Sequence, residues 1–271
     1  MSSPKVSAKR KAELEELAEM IACDYADSGY INLEMIAQNY GIKYSLNDYN
    51  SDFKGLIEFS ENSFHIYLDK AQGKNLRSHG VRYSFAHELG HFLINEHRSA
   101  LMTQGMFERN PQRKLDLSDQ FEKEAEFFAS CLLMPRELLL NDLEGSEFNF
   151  DLMLHLSRKY NVSFTAVLLR YQLLGTTPIS LVMSHNRKYL WHRTSKLFPF
   201  YSLNLEDGEL VPKGSLASTH FEGTDVSKTT VRLPVNTWFH PRDHNDTQRF
   251  FNEMCITQLA LNQVVSVIWE D

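Results

Sequence analysis

Two histidines four residues apart, His87 and His91, bracket Glu88 in the pentapeptide HELGH. On an α-helix, residues at i and i+4 share a face, so both imidazoles can offer a nitrogen to one ion. Glu88 projects to the side of that pair, where it can take a proton from a zinc-activated water and pass it to a leaving amine. That is the chemistry of peptide-bond hydrolysis. An H-E-x-x-H string also arises by chance in unrelated proteins. The context YSFAHELGHFLI counts against chance. A strongly apolar helix would bury three polar groups, and a metal with its water would satisfy all of them.

Such a site requires a third protein ligand. His97 stands at the spacing of the last histidine in H-E-x-x-H-x-x-G-x-x-H, but Ile94 takes the place of the glycine. With no glycine to turn the chain, a continuing helix carries His97 roughly 9 Å along the axis from His91. It is therefore expected to be a helix-end residue, favoured there when protonated, and not a ligand. The alternative lies in FEKEAEFFASCLLMP. There Phe121, Ala125, Phe128, Ala129, Leu132 and Leu133 form a stripe at core spacing. Glu122 and Glu124 flank the stripe on opposite sides, and periodicity alone does not choose between them.

The elements that must hold these residues are legible in outline. Helical spacing predicts helices over about Lys11 to Tyr25 and Asn32 to Tyr40, the second stopped by Gly41. GIKYSLNDY reads as extended, and two strands, Leu56 to Phe59 and Phe64 to Leu68, read as a hairpin through Glu61-Asn62-Ser63. The HELGH helix starts between Ser78 and Ser84 and runs to about Ile94. A polar stretch from about Arg98 to Ser118 is expected as a loop at the rim of the site. Further helices cover Asp119 to Met134, Arg136 to Leu143, Asp151 to Tyr160 and Phe164 to Leu174. At Gly175-Thr-Thr-Pro178 the pattern changes to strands: ISLVMS, YLWHRTS, TTVRLPV and VVSVIW.

Composition limits what the site can belong to. In 271 residues, a 42% apolar and 23% charged content is that of an ordinary globular protein. A net charge of −7 argues against a surface that coats nucleic acid. The N-terminal stretch has no apolar core of the signal-peptide kind, and no apolar run is long enough for a transmembrane helix. Cys23, Cys131 and Cys255 are far apart and odd in number, so they read as buried thiols in a reducing cytoplasm.

RYSFAHELGHFLI, followed about thirty residues later by EKEAEFFASCLLMP, resembles the ImmA/IrrE family of metallopeptidases. That family's pattern runs A-H-E-L-G-H and then E-x-E-A-x-x-F-A-x-x-L-L-M-P. The resemblance extends to LEMIAQNYGIKY, the hairpin before the zinc helix and SRKYNVSFTAVLLRYQLLG, and so covers about residues 10 to 176. In the family the glutamate just before the alanine completes the zinc site, which implies Glu124 here. A histidine often found four residues after the second zinc histidine is replaced by Asn95.

Other constellations are weaker. LSRKYNVSFTAVLLRYQLL has the cadence of a helix-turn-helix with Thr165 and Arg170 on its second helix. Few basic residues lie there, so scaffolding or partner recognition is expected, and direct DNA binding is not. His220, His240 and His244 could form a second metal site, but HPRDH reads as a solvated loop. Phe198, Phe200, Tyr201, Trp238 and Phe239 read most simply as the core of a small β-rich domain, with the lining of a ligand pocket as the alternative.

The expected architecture is α+β. A mainly helical, zincin-like peptidase domain spans 10–176, with a small sheet and helix-turn-helix-like helices at about 136–175. A β-rich domain spans 177–271 and senses a signal or shapes substrate access. His87 and His91 are expected to bind Zn²⁺ with Glu88 as the catalytic base, and the resemblance implies Glu124 as the third ligand. Resemblance implies a cytoplasmic endopeptidase whose substrate is a helix-turn-helix repressor, cut to release mobile-element or stress-response genes. The alternative is a regulatory binding module with little turnover that acts on a transcription factor or DNA.

Overall fold

A computed structural model describes residues 6–107, 119–200, 202–258 and 261–270. The chain forms two compact units, Met1–Glu144 with His155–Ser163, and Gly145–Leu154 with Phe164–Asp271.

The first unit opens with α1 (Ala8–Tyr25), a two-residue ladder of β1 (Ala26–Asp27) and β2 (Tyr30–Ile31), and α2 (Leu33–Asn39). A three-stranded sheet follows in the order β3-β5-β4, made of β3 (Lys43–Asn47), β4 (Gly55–Ser60) and β5 (Ser63–Asp69). β4 and β5 form the expected hairpin. Glu61 (φ 50) and Asn62 (φ 59) both adopt the left-handed region, the backbone that a two-residue type I′ turn demands. β3 pairs parallel to β5. Period-two alternation buries Phe64, Ile66 and Leu68, and this sheet packs on α3 (His79–Leu93).

Helix α3 carries HELGH and is sandwiched by α5 (Asp119–Leu133), which also packs on α1. The glycine of HELGH permits that crossing. A Cβ on Gly90 would stand 3.0 Å from Cδ1 of Phe128 and 3.5 Å from the carbonyl oxygen of Ala125, so even an alanine there would force the Phe128 ring to give way. On α5 the predicted stripe is buried from Ala125 onward, at Ala125, Phe128, Ala129, Leu132 and Leu133, while its first member, Phe121, is half-buried.

Two expectations are corrected next to the site. The chain leaves helical geometry at Ile94 (φ −78, ψ 114) and starts again as α4 (Asn95–Phe107). No glycine is needed, because these angles are open to every L-residue and a β-branched side chain favours extended backbone. Ile94 is buried in the core. Much of the stretch expected as a rim loop is therefore helix, and 108–118 lie outside the described residues. α6 (Arg136–Leu143) and α7 (Phe150–Tyr160) follow as expected.

In the second unit an antiparallel sheet runs β7-β6-β10-β9-β8. Its strands are β6 (Ile179–His185), β7 (Lys188–Thr194), β8 (Thr230–Pro234), β9 (Phe250–Gln258) and β10 (Gln263–Trp269). α8 (Phe164–Leu174) packs on β6 and β7, and α9 (Leu216–Phe221) packs on β9 and β10. Phe198, Phe200, Trp238, Phe239 and Phe251 lie in one buried cluster, the core read from the aromatics; Tyr201 lies outside the described residues. Arg170 on α8 is itself buried, which removes it as a groove-reading side chain. Cys131 and Cys255 are buried, but Cys23 is exposed, because it falls on the outer face of α1, away from Leu14, Ala18, Ile21 and Ala22.

Candidate metal centre

On α3 the i, i+4 spacing brings the Nε2 atoms of His87 and His91 within 3.1 Å of each other. Glu122, on the facing turn of α5, completes the group. Its Oε2 lies 3.2 Å from Nε2 of His87, and its Oε1 lies 3.5 Å from Nε2 of His91. Among the described residues this is the one trio of His, Cys, Asp or Glu whose ligand atoms converge; His220, His240 and His244 form no such group. The donor set suits a divalent transition metal. Ligand bonds of about 2.0–2.1 Å in a tetrahedron put donors about 3.3 Å apart, close to the separations found here. His91 is buried, whereas the Glu122 side chain is 48% exposed, so the cluster has a wet side where a fourth ligand can enter.

Without a metal the three groups hold one another. Hydrogen bonds from His87 and then His91 keep the Glu122 carboxyl well below the usual carboxylate range. Burial works against a charged His87, but the hydrogen bond to Glu122 and the negative charges of Glu88, Glu122 and Glu126 outweigh it and raise its pKa.

Glu88 sits beside the cluster and is buried. Burial raises its pKa, against the opposing pull of His87, His91 and a backbone hydrogen bond from Ile57 on β4. Gly55, the first residue of β4, touches the Glu88 carboxylate: a Cβ there would meet Oε1 at 2.7 Å. Nothing in the helix pattern pointed to Gly55 or Ile57, which reach the site only through the hairpin.

Glu124, the ligand implied by resemblance, lies elsewhere. Arg10 Nε donates to its Oε2 at 2.8 Å, Gln120 Nε2 donates to its Oε1 at 2.9 Å, and Nε2 of His97 lies 3.4 Å from Oε2. Two residues apart on a helix, Glu122 and Glu124 face about 200° apart. Only the first turns to the histidine pair. His97 stays outside the cluster, as expected, but it is buried near the start of a new helix and not a protonated helix-end residue. The break at Ile94 folds it back until its Nδ1 lies 3.2 Å from Nδ1 of His91. Burial and the neighbouring charge of His91 bring its pKa down to about 4. It approaches the nitrogen of His91 that faces away from His87.

Two imidazoles, a carboxylate and a buried glutamate at the side make a site of the metallohydrolase kind. Residues 73–172 match the family model of the IrrE N-terminal-like domain, Peptidase_M78, in agreement with the ImmA/IrrE resemblance. The matched stretch contains His87, Glu88, His91, Glu122 and Glu124, and it suggests a metallopeptidase. No curated protein matches the chain. Among solved structures, a Mycobacterium tuberculosis transcriptional regulator is similar at a TM-score of 0.58 and 14% identity, over 97% of this chain and 78% of that one. At that identity the likeness speaks to fold alone. No helix among the described residues is long and apolar enough to cross a membrane.

Proposed function

We propose that this chain is a zinc-dependent endopeptidase whose metal is held by His87, His91 and Glu122, with Glu88 as the general base. The observation that carries the reading is the convergence of the two Nε2 atoms and the Glu122 carboxylate beside a buried Glu88. When bound, such an ion supplies a Lewis acid that makes water acidic and a peptide carbonyl electrophilic. Glu88 does the proton work. Its raised pKa brings it towards the range in which a carboxylate can take a proton from attacking water and return it to the departing amine. The Ile57 N–H and the close backbone at Gly55 hold its carboxylate in place.

The proposed substrate is a helix-turn-helix repressor, cut in the cytoplasm to release genes of a mobile element or stress response. The family resemblance supports this part. The second unit takes the part of sensing a signal or shaping access. The test is incubation with a helix-turn-helix repressor, any such protein encoded beside the gene first, followed by mass spectrometry, with wild type and Glu88→Gln compared for derepression of a reporter. Glu88→Gln keeps size and reach but cannot accept the proton. Hydrolysis should fall at least about 10²- to 10⁴-fold, with zinc content and repressor binding kept. Equal derepression by both proteins would sink the peptidase mechanism and favour a binding module.

A further inference from the structure

Behind His91, on the side away from His87, a row of polar side chains crosses four helices. Nδ1 of His91 on α3 meets Nδ1 of His97 on α4 at 3.2 Å. Nε2 of His97 meets Oε2 of Glu124 on α5 at 3.4 Å. Arg10 Nε on α1 donates to the same oxygen at 2.8 Å, and its guanidinium forks onto Glu96 at 3.3 and 3.2 Å. His97 is fully enclosed at 0% exposure and Glu124 is at 2%. The His97 ring stacks on Phe121, with centroids 4.0 Å apart and planes 17° apart, which fixes its tilt. A polar row this deeply buried persists only with its hydrogen bonds made.

Given the reading that His91 binds metal through Nε2, on which this inference rests, the proton positions follow. His91 must carry its proton on Nδ1 and donate it to Nδ1 of His97. His97 then holds its own proton on Nε2 and donates it to Glu124. Arg10 keeps Glu124 an anion. We propose that His97 is the positioning residue for His91. It transmits the anchoring of Glu124 and Arg10 through one extra ring, and Glu124 acts in this second layer and not on the metal. An imidazole ligand whose far nitrogen donates to a fixed acceptor keeps its tautomer and its ring orientation, and is the more basic for it.

The test uses the full chain with His97→Phe, which keeps a stacking ring but no nitrogens, and His97→Gln, which keeps one acceptor and one donor. The readouts are zinc affinity by competition with a chromophoric chelator and the ¹⁵N shifts of the His91 ring with and without zinc. In wild type, the zinc-bound chain should carry the His91 proton on Nδ1, and in the metal-free chain the Nδ1 bond to His97 should compete for it with the Nε2 bond to Glu122. His97→Phe should weaken zinc binding roughly 10- to 100-fold and shift the His91 proton from Nδ1 towards Nε2 in the metal-free chain. His97→Gln should restore most of both. Should His97→Phe fail to fold, Arg10→Gln at the outer end of the row should shift both readouts the same way by less. Unchanged affinity and an unchanged His91 tautomer in His97→Phe would overturn the proposal. Absence of zinc binding in wild type would instead overturn the metal reading, and the metal-free tautomer would still decide the role of His97.

Discussion

Gly55 and Glu88 are packed so closely that a Cβ on Gly55 would stand 2.7 Å from Oε1 and 3.0 Å from Cγ of Glu88. The first residue of a hairpin strand thus sets where the carboxylate beside the histidine pair can lie. Gly55→Ala should displace that carboxylate while leaving the His87, His91 and Glu122 cluster alone. Turnover should drop on the order of 10²-fold, the scale of an ångström-sized misplacement, with zinc stoichiometry unchanged. Steady-state kinetics beside elemental analysis checks this; full activity in Gly55→Ala would mean that Glu88 relaxes freely and that the close approach has no consequence.

Glu122 and Glu124 are separated by the same logic. Glu122→Ala removes a group within 3.2 Å of His87 Nε2 and should abolish stoichiometric zinc retention, because a three-ligand site becomes a two-ligand one. Glu124→Ala removes the support behind His97 and should weaken zinc only about 10- to 100-fold. Chelator competition on the two proteins distinguishes them. The reverse order, with zinc lost from Glu124→Ala and kept by Glu122→Ala, would restore the ligand that the family pattern implies.

How far the site was legible in the sequence follows from how local each signal is. The histidine pair, Glu88 and the stripe on α5 obey the three- and four-residue spacing of a helix, and the hairpin turn at Glu61 and Asn62 is a local turn signal between two short apolar runs. The choice between Glu122 and Glu124 depends on how α5 is rotated against α3, and periodicity has no access to that rotation. His97 was misplaced because the break at Ile94 needs no glycine, and the partnership of Arg10 with Glu124 spans 114 positions. β9 was missed as well. Glu253 and Asn252 interrupt its apolar pattern, yet Glu253 points inward. α8 followed the helical cadence of the residues before it, but it packs on β6 and β7 and belongs with the sheet.

That inward Glu253 carries a stability prediction for the second unit. Its carboxylate accepts from the backbone N–H groups of Leu216 and Ala217 at the start of α9, from Trp238 Nε1 and from Ser266 Oγ. Burial raises its pKa against all of these. Glu253→Ala strands several buried donors, each worth about 1–3 kcal/mol when left unmade. The loss should therefore reach about 3 kcal/mol or more, with Glu253→Gln milder because one acceptor remains. Denaturant unfolding of the three proteins checks the order. A loss under about 1 kcal/mol in Glu253→Ala, the scale of one ordinary hydrogen bond, would mean that water reaches these donors.

The ion pair between His87 and Glu122 predicts how the metal-free protein responds to pH. Hydrogen bonds from His87 and His91 depress the folded pKa of Glu122. Its contribution is complete above the ordinary glutamate value of about 4.3, and it fades as pH falls through the lower folded value. The folded pKa of His87 is raised: burial lowers it, but the hydrogen bond to Glu122 and the charges of Glu88, Glu122 and Glu126 together outweigh burial. Its contribution is complete below the ordinary imidazole value of about 6.5 and is lost as pH rises through the higher folded value. Both groups therefore stabilise the metal-free chain fully only between about pH 4.3 and 6.5. Thermal unfolding of chelator-treated protein should show an alkaline decline that Glu122→Gln flattens, because the partner that raises His87 is then neutral. Zinc should reverse the trend, since binding requires deprotonated imidazoles and tightens as pH rises. An identical pH profile in wild type and Glu122→Gln would show that the pair contributes nothing to the fold.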